Sequence, residues 1–389
     1  MAETVQVYGY RVRQARTIRS SPIKPLAQLL GMSPSAWTAL ERSASTAMPV
    51  MRLRALAAKL RFPHDFFLTP PGGLPVHRGS LLLRAKKTIK IAEIDALTAF
   101  AEMVQELWQS LAEHATHPPL RIPIGLPAGT SPEEAARLTR SALDLREDEP
   151  IAHVMHTVER AGIPIAVAGV GMPDAKHDAF SVWAGDFHDE PLIVAKPVNS
   201  WERTRWSIAH ELGHLVMHHG IIPDDAEEQA NRFANEFLLP VSSLQKEWPS
   251  AATLSTLYSL KQRWHMSLAS LIMHGRQNGL LDEARASGLF KQLSARRDPH
   301  TQVTWKVQEP GWSDLAPERP RLIAVMVERG LEEQPSARLL SSISGKWADD
   351  LMQEVLDGQR PAPAVSRAEG RRSQEVESVS NVIALRRRA

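Results

Sequence analysis

Trp206-Ser207-Ile208-Ala209-His210-Glu211-Leu212-Gly213-His214-Leu215-Val216-Met217 decides how the rest of the chain is read. On a helix turning about 100° per residue, positions four apart stand one turn above each other, so His210 and His214 can grip a single zinc ion. Neutral imidazole suits zinc, which keeps one position open for water and lowers that water's pKa to about 7. Glu211 lies beside the pair and is placed to act as general base. Apolar residues on both sides of the motif predict a buried helix, and Asn199-Ser200-Trp201-Glu202 supplies an N-cap with a capping glutamate. Gly213 weakens the helix by about 1 kcal/mol relative to alanine. Its place on the inner face predicts the close approach of another backbone.

A tetrahedral site needs a further ligand, and the segment Asp224–Pro240 offers it. Glu227 falls on the stripe of Ala230, Phe233, Ala234, Phe237 and Leu238. Glu228 falls with Asn231, Arg232 and Asn235 on the polar side. Glu227 is therefore the predicted third ligand of one zinc ion per chain, with Glu228 as the alternative. Small residues at Ala230 and Ala234 let this helix pack closely on the histidine helix, and Pro240 ends it. His218, four residues beyond His214 on the same face, is a candidate for orienting Glu227 or a substrate. It cannot easily share a metal with His210, because eight residues span about 12 Å. His219 and Tyr258 are weaker candidates for the same role. His153 and His156 carry no surrounding motif and read as ordinary helix histidines.

Composition is that of a globular protein: 389 residues, 43% hydrophobic and 23% charged, enough for two or three domains with proper cores. The absence of cysteine excludes disulfides and thiolate ligands, so any zinc must be held by histidine and carboxylate. No signal-like N-terminus or membrane-length apolar stretch is present, which makes the cytoplasm the expected location. Net charge is +2 overall, yet residues 1–65 hold ten Lys and Arg against three acidic residues, a local excess of +7. Such a segment can track phosphates.

That basic segment predicts short helices at 9–19, 24–30, 34–42 and 50–60. Leu26 to Ser33 reads as a short helix, a glycine turn at Gly31 and a serine cap before Pro34, with Trp37 and Leu40 facing inward. The run from Arg11 through Leu60 resembles the phage-repressor (XRE-like) helix-turn-helix family. The resemblance implies DNA contacts at Arg11, Arg13, Arg16, Lys24, Ser33, Ser35, Thr38 and Arg42. Ile23 stands where that family often has glutamine, and Pro34, Ser35, Ala36 and Ala39 are poor base readers. Backbone binding, help from a partner, and recognition of protein instead all stay open.

After a Pro/Gly connector at 68–75, a long amphipathic helix is predicted at about 88–115, with Ile94, Leu97, Phe100, Ala101, Val104, Leu107, Trp108 and Leu111 facing a core. Helices follow near 132–143 and 149–161. The period then changes to that of strands at 163–167, 179–183 and 191–195. A small sheet against two helices would frame a compact peptidase, its edge strand open to an extended substrate. Taken in order, the basic helix-turn-helix, the three strands, His210-Glu211-Leu212-Gly213-His214 and Glu227-Glu228-Gln229-Ala230-Asn231-Arg232-Phe233-Ala234 resemble ImmA/IrrE-type metallopeptidases fused to an XRE-like domain, over most of residues 8–275. Arg203 and Arg205 fit that family's lead-in, and Leu257–Ile272 its following helical module. The resemblance implies Glu227 as third ligand and cleavage of a helix-turn-helix repressor in a stress, phage or mobile-element response.

The expected fold class is α+β, mostly helical. The expected segments are an XRE-like domain at 1–67, a linker and helical connector at 68–150, a zincin-like peptidase domain with a three-stranded sheet at 151–275, a helical region at 276–357 and a disordered basic tail at 358–389. Two functions compete. One is a zinc endopeptidase acting on a regulatory protein, with no membrane partner; the other is a DNA-binding regulator whose peptidase-like domain senses without cutting.

Overall fold

The structure is a computed structural model that describes residues 3–72, 75–77, 80–82, 89–167, 169, 178–185 and 187–359. It is mostly helical, with two small sheets. The N-terminal part runs β1 (Thr4–Val7), α1 (Gly9–Ile18), α2 (Ile23–Leu29), α3 (Pro34–Arg42), β2 (Thr46–Pro49), α4 (Val50–Leu60) and α5 (His64–Leu68). All four predicted helices are present. Gly31 takes φ +62° directly after α2, a left-handed conformation that favours glycine. The Ser33 hydroxyl accepts from Ala36 N at 3.1 Å and caps α3, while Trp37 is fully buried. Sequence periodicity missed the antiparallel β1–β2 ladder that closes this part, because each strand has only four residues.

Next come β3 (Leu81–Leu82), α6 (Ile91–His114), α7 (Pro132–Ala142), α8 (Val154–Arg160), β4 (Ile165–Val167), β5 (Ala179–Ala184) and β6 (Glu190–Ala195). The main sheet has four strands in the order β3-β5-β6-β4, one more than the three expected. The extra strand pairs with β5 only at Leu81↔Val182 and Leu82↔Ser181, too short a run for an alternation to be read. The second predicted helix of this stretch starts at Val154 rather than 149, because the His153 ring caps it through His156 N.

Strand alternation makes the sheet a wall between two cores. Phe180, Val182, Leu192 and Val194 face a core shared by α1–α5, α6 and the last helices. Ala179, Trp183, Ile193 and Ala195 face the other core, built on α9 (Trp201–Met217), α10 (Ala226–Leu238), α11 (Val241–Glu247), α12 (Leu254–Trp264), α13 (Leu268–Gln277) and α14 (Glu283–Ala295). α15 (Leu322–Met326), a π-helical turn at Val327–Leu331, α16 (Ala337–Ile343) and α17 (Asp349–Gln359) return the chain to the first core. There α17 packs on β4, and Gln359 Nε2 donates to Ile165 O at 3.1 Å. The disordered tail expected from 358 starts no earlier than 360, since Gly358 and Gln359 are buried in α17; residues 360–389 lie outside the described residues. Among the described residues no helix is long and apolar enough to cross a membrane.

Candidate metal centre

Ser200 starts α9: its hydroxyl accepts from Arg203 N at 3.1 Å and donates to Glu202 at 2.8 Å. The helix is buried along most of its length, and His210, Glu211 and His214 are each 2% exposed. α10 packs along it through Ala230, Phe233, Ala234 and Phe237, the stripe read from the sequence. Gly213 has a clear cause here. A Cβ on it would lie 2.9 Å from Phe233 Cδ1, so the close neighbour is an aromatic ring of α10 and not the expected backbone.

This packing brings Glu227, in the first turn of α10, over the two imidazoles. His210 Nε2 and His214 Nε2 lie 3.1 Å apart, with Glu227 oxygens at 3.6 Å and 3.3 Å from them respectively. All three ligand atoms fall within 4.8 Å of one another. Two imidazole nitrogens and a carboxylate oxygen are the donor set of a catalytic zinc site, so the residues fit such an ion. Burial pushes the Glu227 carboxyl up, but hydrogen bonds and charge from His210 and His214 outweigh it and hold the group below the usual carboxylate range. Glu228, the alternative ligand, is exposed.

The two histidines are oriented differently. Trp206 stacks on the His210 ring at 5.1 Å, while His210 Nδ1 is buried without a hydrogen bond. Trp206 is itself held by Asn235 Oδ1 at 3.2 Å. Asn235 was read as part of the polar side of α10, yet it is 4% exposed because Trp206 reaches across to it. His214 is held by a relay. Its Nδ1 lies 2.9 Å from His218 Nδ1, and His218 Nε2 lies 3.2 Å from Gln229 Oε1. Gln229 Nε2 donates to Asp225 at 2.9 Å, which turns the amide oxygen toward His218. His218 must then donate from Nε2 and accept at Nδ1, so His214 carries its proton on Nδ1 and presents the Nε2 lone pair to the centre. Burial, and then the neighbouring His214, push the His218 imidazole down to about 4, consistent with a neutral ring. His218 thus backs His214 rather than Glu227. His219 contacts His188 O and Trp183, and the Tyr258 hydroxyl reaches Asp314; neither belongs to the centre.

Glu211 is positioned by a residue the sequence did not single out. The Ser181 hydroxyl, fully buried on β5, donates to Glu211 Oε2 at 2.7 Å. Strand alternation puts Ser181 on the α9 face, but nothing in the sequence signals its partner. Glu211 and His210 both line a cleft of about 710 Å³ that reaches the Asp178–Ala179 end of β5.

Residues 158–274 match the family described as the IrrE N-terminal-like domain, Peptidase_M78. This matched segment contains α9, α10 and the whole constellation just described, and the similarity points to a metallopeptidase-type function. No curated protein matches the chain.

Of the two lead-in arginines, Arg205 is buried and structural, whereas Arg203 lines the cleft. Arg205, 2% exposed, donates to Ile151 O at 2.6 Å and pairs with Glu318, while Arg203 pairs with Asp178. His153, the extended N-cap of α8 and not a helix residue as expected, stacks on His156 at 3.4 Å, and neither belongs to the group formed by His210, His214 and Glu227.

The candidate DNA contacts divide into two groups. Arg11 is fully buried, ion-paired to Glu106 of α6 at 2.6 Å and bonded to Thr69 O and Pro70 O, so it is withdrawn from the surface. Arg16 is clamped to Glu41, Arg13 lies over the Tyr10 ring at 5.9 Å, and Ser33 caps α3. Lys24, Ser35 and Arg42 are exposed, and Thr38 is partly so.

Proposed function

We propose that the chain is a zinc-dependent endopeptidase that cuts a regulatory protein, specifically a helix-turn-helix repressor, in a stress, phage or mobile-element response. The observation that carries the catalytic part is the convergence of His210 Nε2, His214 Nε2 and the Glu227 carboxylate beside a cleft that Glu211 also lines. The resemblance to ImmA/IrrE-type proteins supports the substrate class. His210, His214 and Glu227 would hold the ion. When bound, zinc supplies Lewis acidity and a water activated near neutral pH. The Glu211 carboxylate, steadied by Ser181, takes a proton from the attacking water and returns it to the leaving amide nitrogen. Trp206 and the His218–Gln229 relay keep the two imidazoles aimed, so the donor set does not have to be assembled on binding.

A proteome extract incubated with wild type and with Glu211→Gln tests this reading. New N-termini within a helix-turn-helix protein, present only with wild type, are expected. Identical termini with both proteins would remove Glu211 from its role, and none with either would remove the hydrolase.

The relay makes a separate prediction. His218→Phe and Gln229→Leu are each expected to weaken zinc binding about 10- to 100-fold without removing a ligand. Competition with a fluorescent chelator measures it, and wild-type affinity in both variants would show that the relay does not matter.

A second reading has its own support in the exposed Lys24, Ser35 and Arg42 of α2 and α3. In it residues 1–67 form a DNA-binding domain that brings the centre to DNA-bound protein, or acts as a regulator without cleavage. Gel shifts at rising salt are expected to show affinity falling steeply with salt and weakened by Lys24→Ala/Arg42→Ala, whereas Arg11 variants should act only through stability. A shift unaffected by the double variant and by salt would exclude this surface.

A further inference from the structure

We infer that Lys306 selects for an acidic side chain in the polypeptide bound in the metal-centre cleft, an inference that rests on the hydrolase reading above. The cleft is lined by α9 and the Asp178–Ala179 end of β5, by the start of α13, and by Lys306, Val307, Glu309 and Trp312, which add a second wall. This second wall lies beyond the residues that match the family, 158–274, so it is supplied by the chain's own C-terminal part.

The wall is fixed in place. Glu309 accepts from Lys261 Nζ at 3.0 Å, Leu268 N at 2.6 Å and Ala269 N at 3.1 Å, which ties it to α12 and to the first turn of α13. Trp201, the first residue of the metal helix, donates from Nε1 to Gly311 O at 3.0 Å. Lys306 N donates to Leu293 O at 3.0 Å, anchoring the other end on α14. The backbone of this segment therefore holds a set position relative to α9, with Lys306 projecting from it.

Charge pairing then separates Lys306 from its neighbours. Asp178 is paired with Arg203, Glu202 and Glu309 share Lys261, and Glu211 is bonded to Ser181. Among the described residues Lys306 is the charged group of the lining that has neither an ion pair nor a side-chain hydrogen bond. A substrate carboxylate can pair with it without displacing a partner, whereas a substrate lysine meets repulsion. Val307, 67% exposed next to it, and the indoles of Trp206 and Trp312 offer apolar surface to the flanking residues of the same peptide. Because Lys306 is exposed, the expected discrimination is about two- to fivefold per acidic residue.

The test uses two pools of fluorescein-labelled random dodecapeptides, one lacking Asp and Glu and one lacking Lys and Arg, with the zinc-loaded full chain. Wild type is expected to cut the acid-containing pool about two- to fivefold faster in kcat/KM. Lys306→Ala should level the two pools, and Lys306→Glu should reverse their order. Equal rates with wild type, or an order unchanged in Lys306→Glu, would overturn the inference. If wild type cuts neither pool, the hydrolase reading is judged by the proteome digestion described above. Lys306 is then judged separately by anisotropy of the same pools on Glu211→Gln and on Glu211→Gln/Lys306→Glu: a reversed binding preference sustains it, and an unchanged or absent preference rejects it.

Discussion

Replacing Glu211 by glutamine is expected to lower kcat/KM for peptide hydrolysis by about 10²- to 10⁴-fold while zinc binding persists. The substitution keeps the shape of the side chain, so the Ser181 hydroxyl can still bond to the residue in its buried position on α9. What changes is basicity. A carboxamide oxygen does not take the proton that the carboxylate takes, and among the described residues of the cleft lining the other carboxylates, Asp178, Glu202 and Glu309, are engaged with Arg203 and Lys261. Single-turnover rates on a labelled protein substrate, with zinc content measured on the same sample, separate loss of the base from loss of the metal. A Glu211→Gln protein that holds zinc and still hydrolyses at the wild-type rate would assign the proton transfer to another group.

Replacing a member of the metal-holding set should remove the ion itself. Glu227→Ala and His214→Ala are expected to reduce zinc from about one per chain to a small fraction at micromolar protein, with activity lost in parallel. Glu227 is the more informative of the two, since it lies at the start of α10 with its side chain partly exposed, and its loss leaves the Ala230–Phe233–Phe237 packing intact. His214→Ala also breaks the contact with His218. Mass spectrometry under native conditions counts the ions, and circular dichroism checks the fold. Stoichiometric zinc in Glu227→Ala would pass the third position to another group, with Glu228 the first to examine.

Those two expectations draw on the part of the chain that was most legible. The four-residue spacing of His210 and His214 dictates a shared helix face, and the apolar stripe of α10 dictates that Glu227 points the same way as Phe233. Both are local consequences of helix periodicity. Gly213 announced a close approach, but the expected backbone is in fact the Phe233 ring, which arrives from a helix whose angle the sequence does not encode locally. Ser181 gave no sign at all: a serine in a strand is ordinary until α9 is laid across it. Asn235 was misjudged for a related reason, since a polar residue at the edge of a stripe is buried once Trp206 covers it.

Long-range pairing was the other blind spot. Arg11 counted toward a basic surface, whereas Glu106, ninety-five positions later, draws it into the core. β3 is two residues long and carries no period. The wall at 306–312 owes its place to Glu309 reaching Lys261 and the start of α13, forty-eight and about forty positions away. Such contacts depend on how helices stack, and a single chain read residue by residue does not reveal them.

The most direct test of the account is anomalous diffraction at the zinc absorption edge from crystals of the full chain grown with zinc. One strong peak is expected about 2.0–2.2 Å from His210 Nε2, His214 Nε2 and a Glu227 oxygen together. No peak there, or a peak held by other residues while these three point apart, would contradict it.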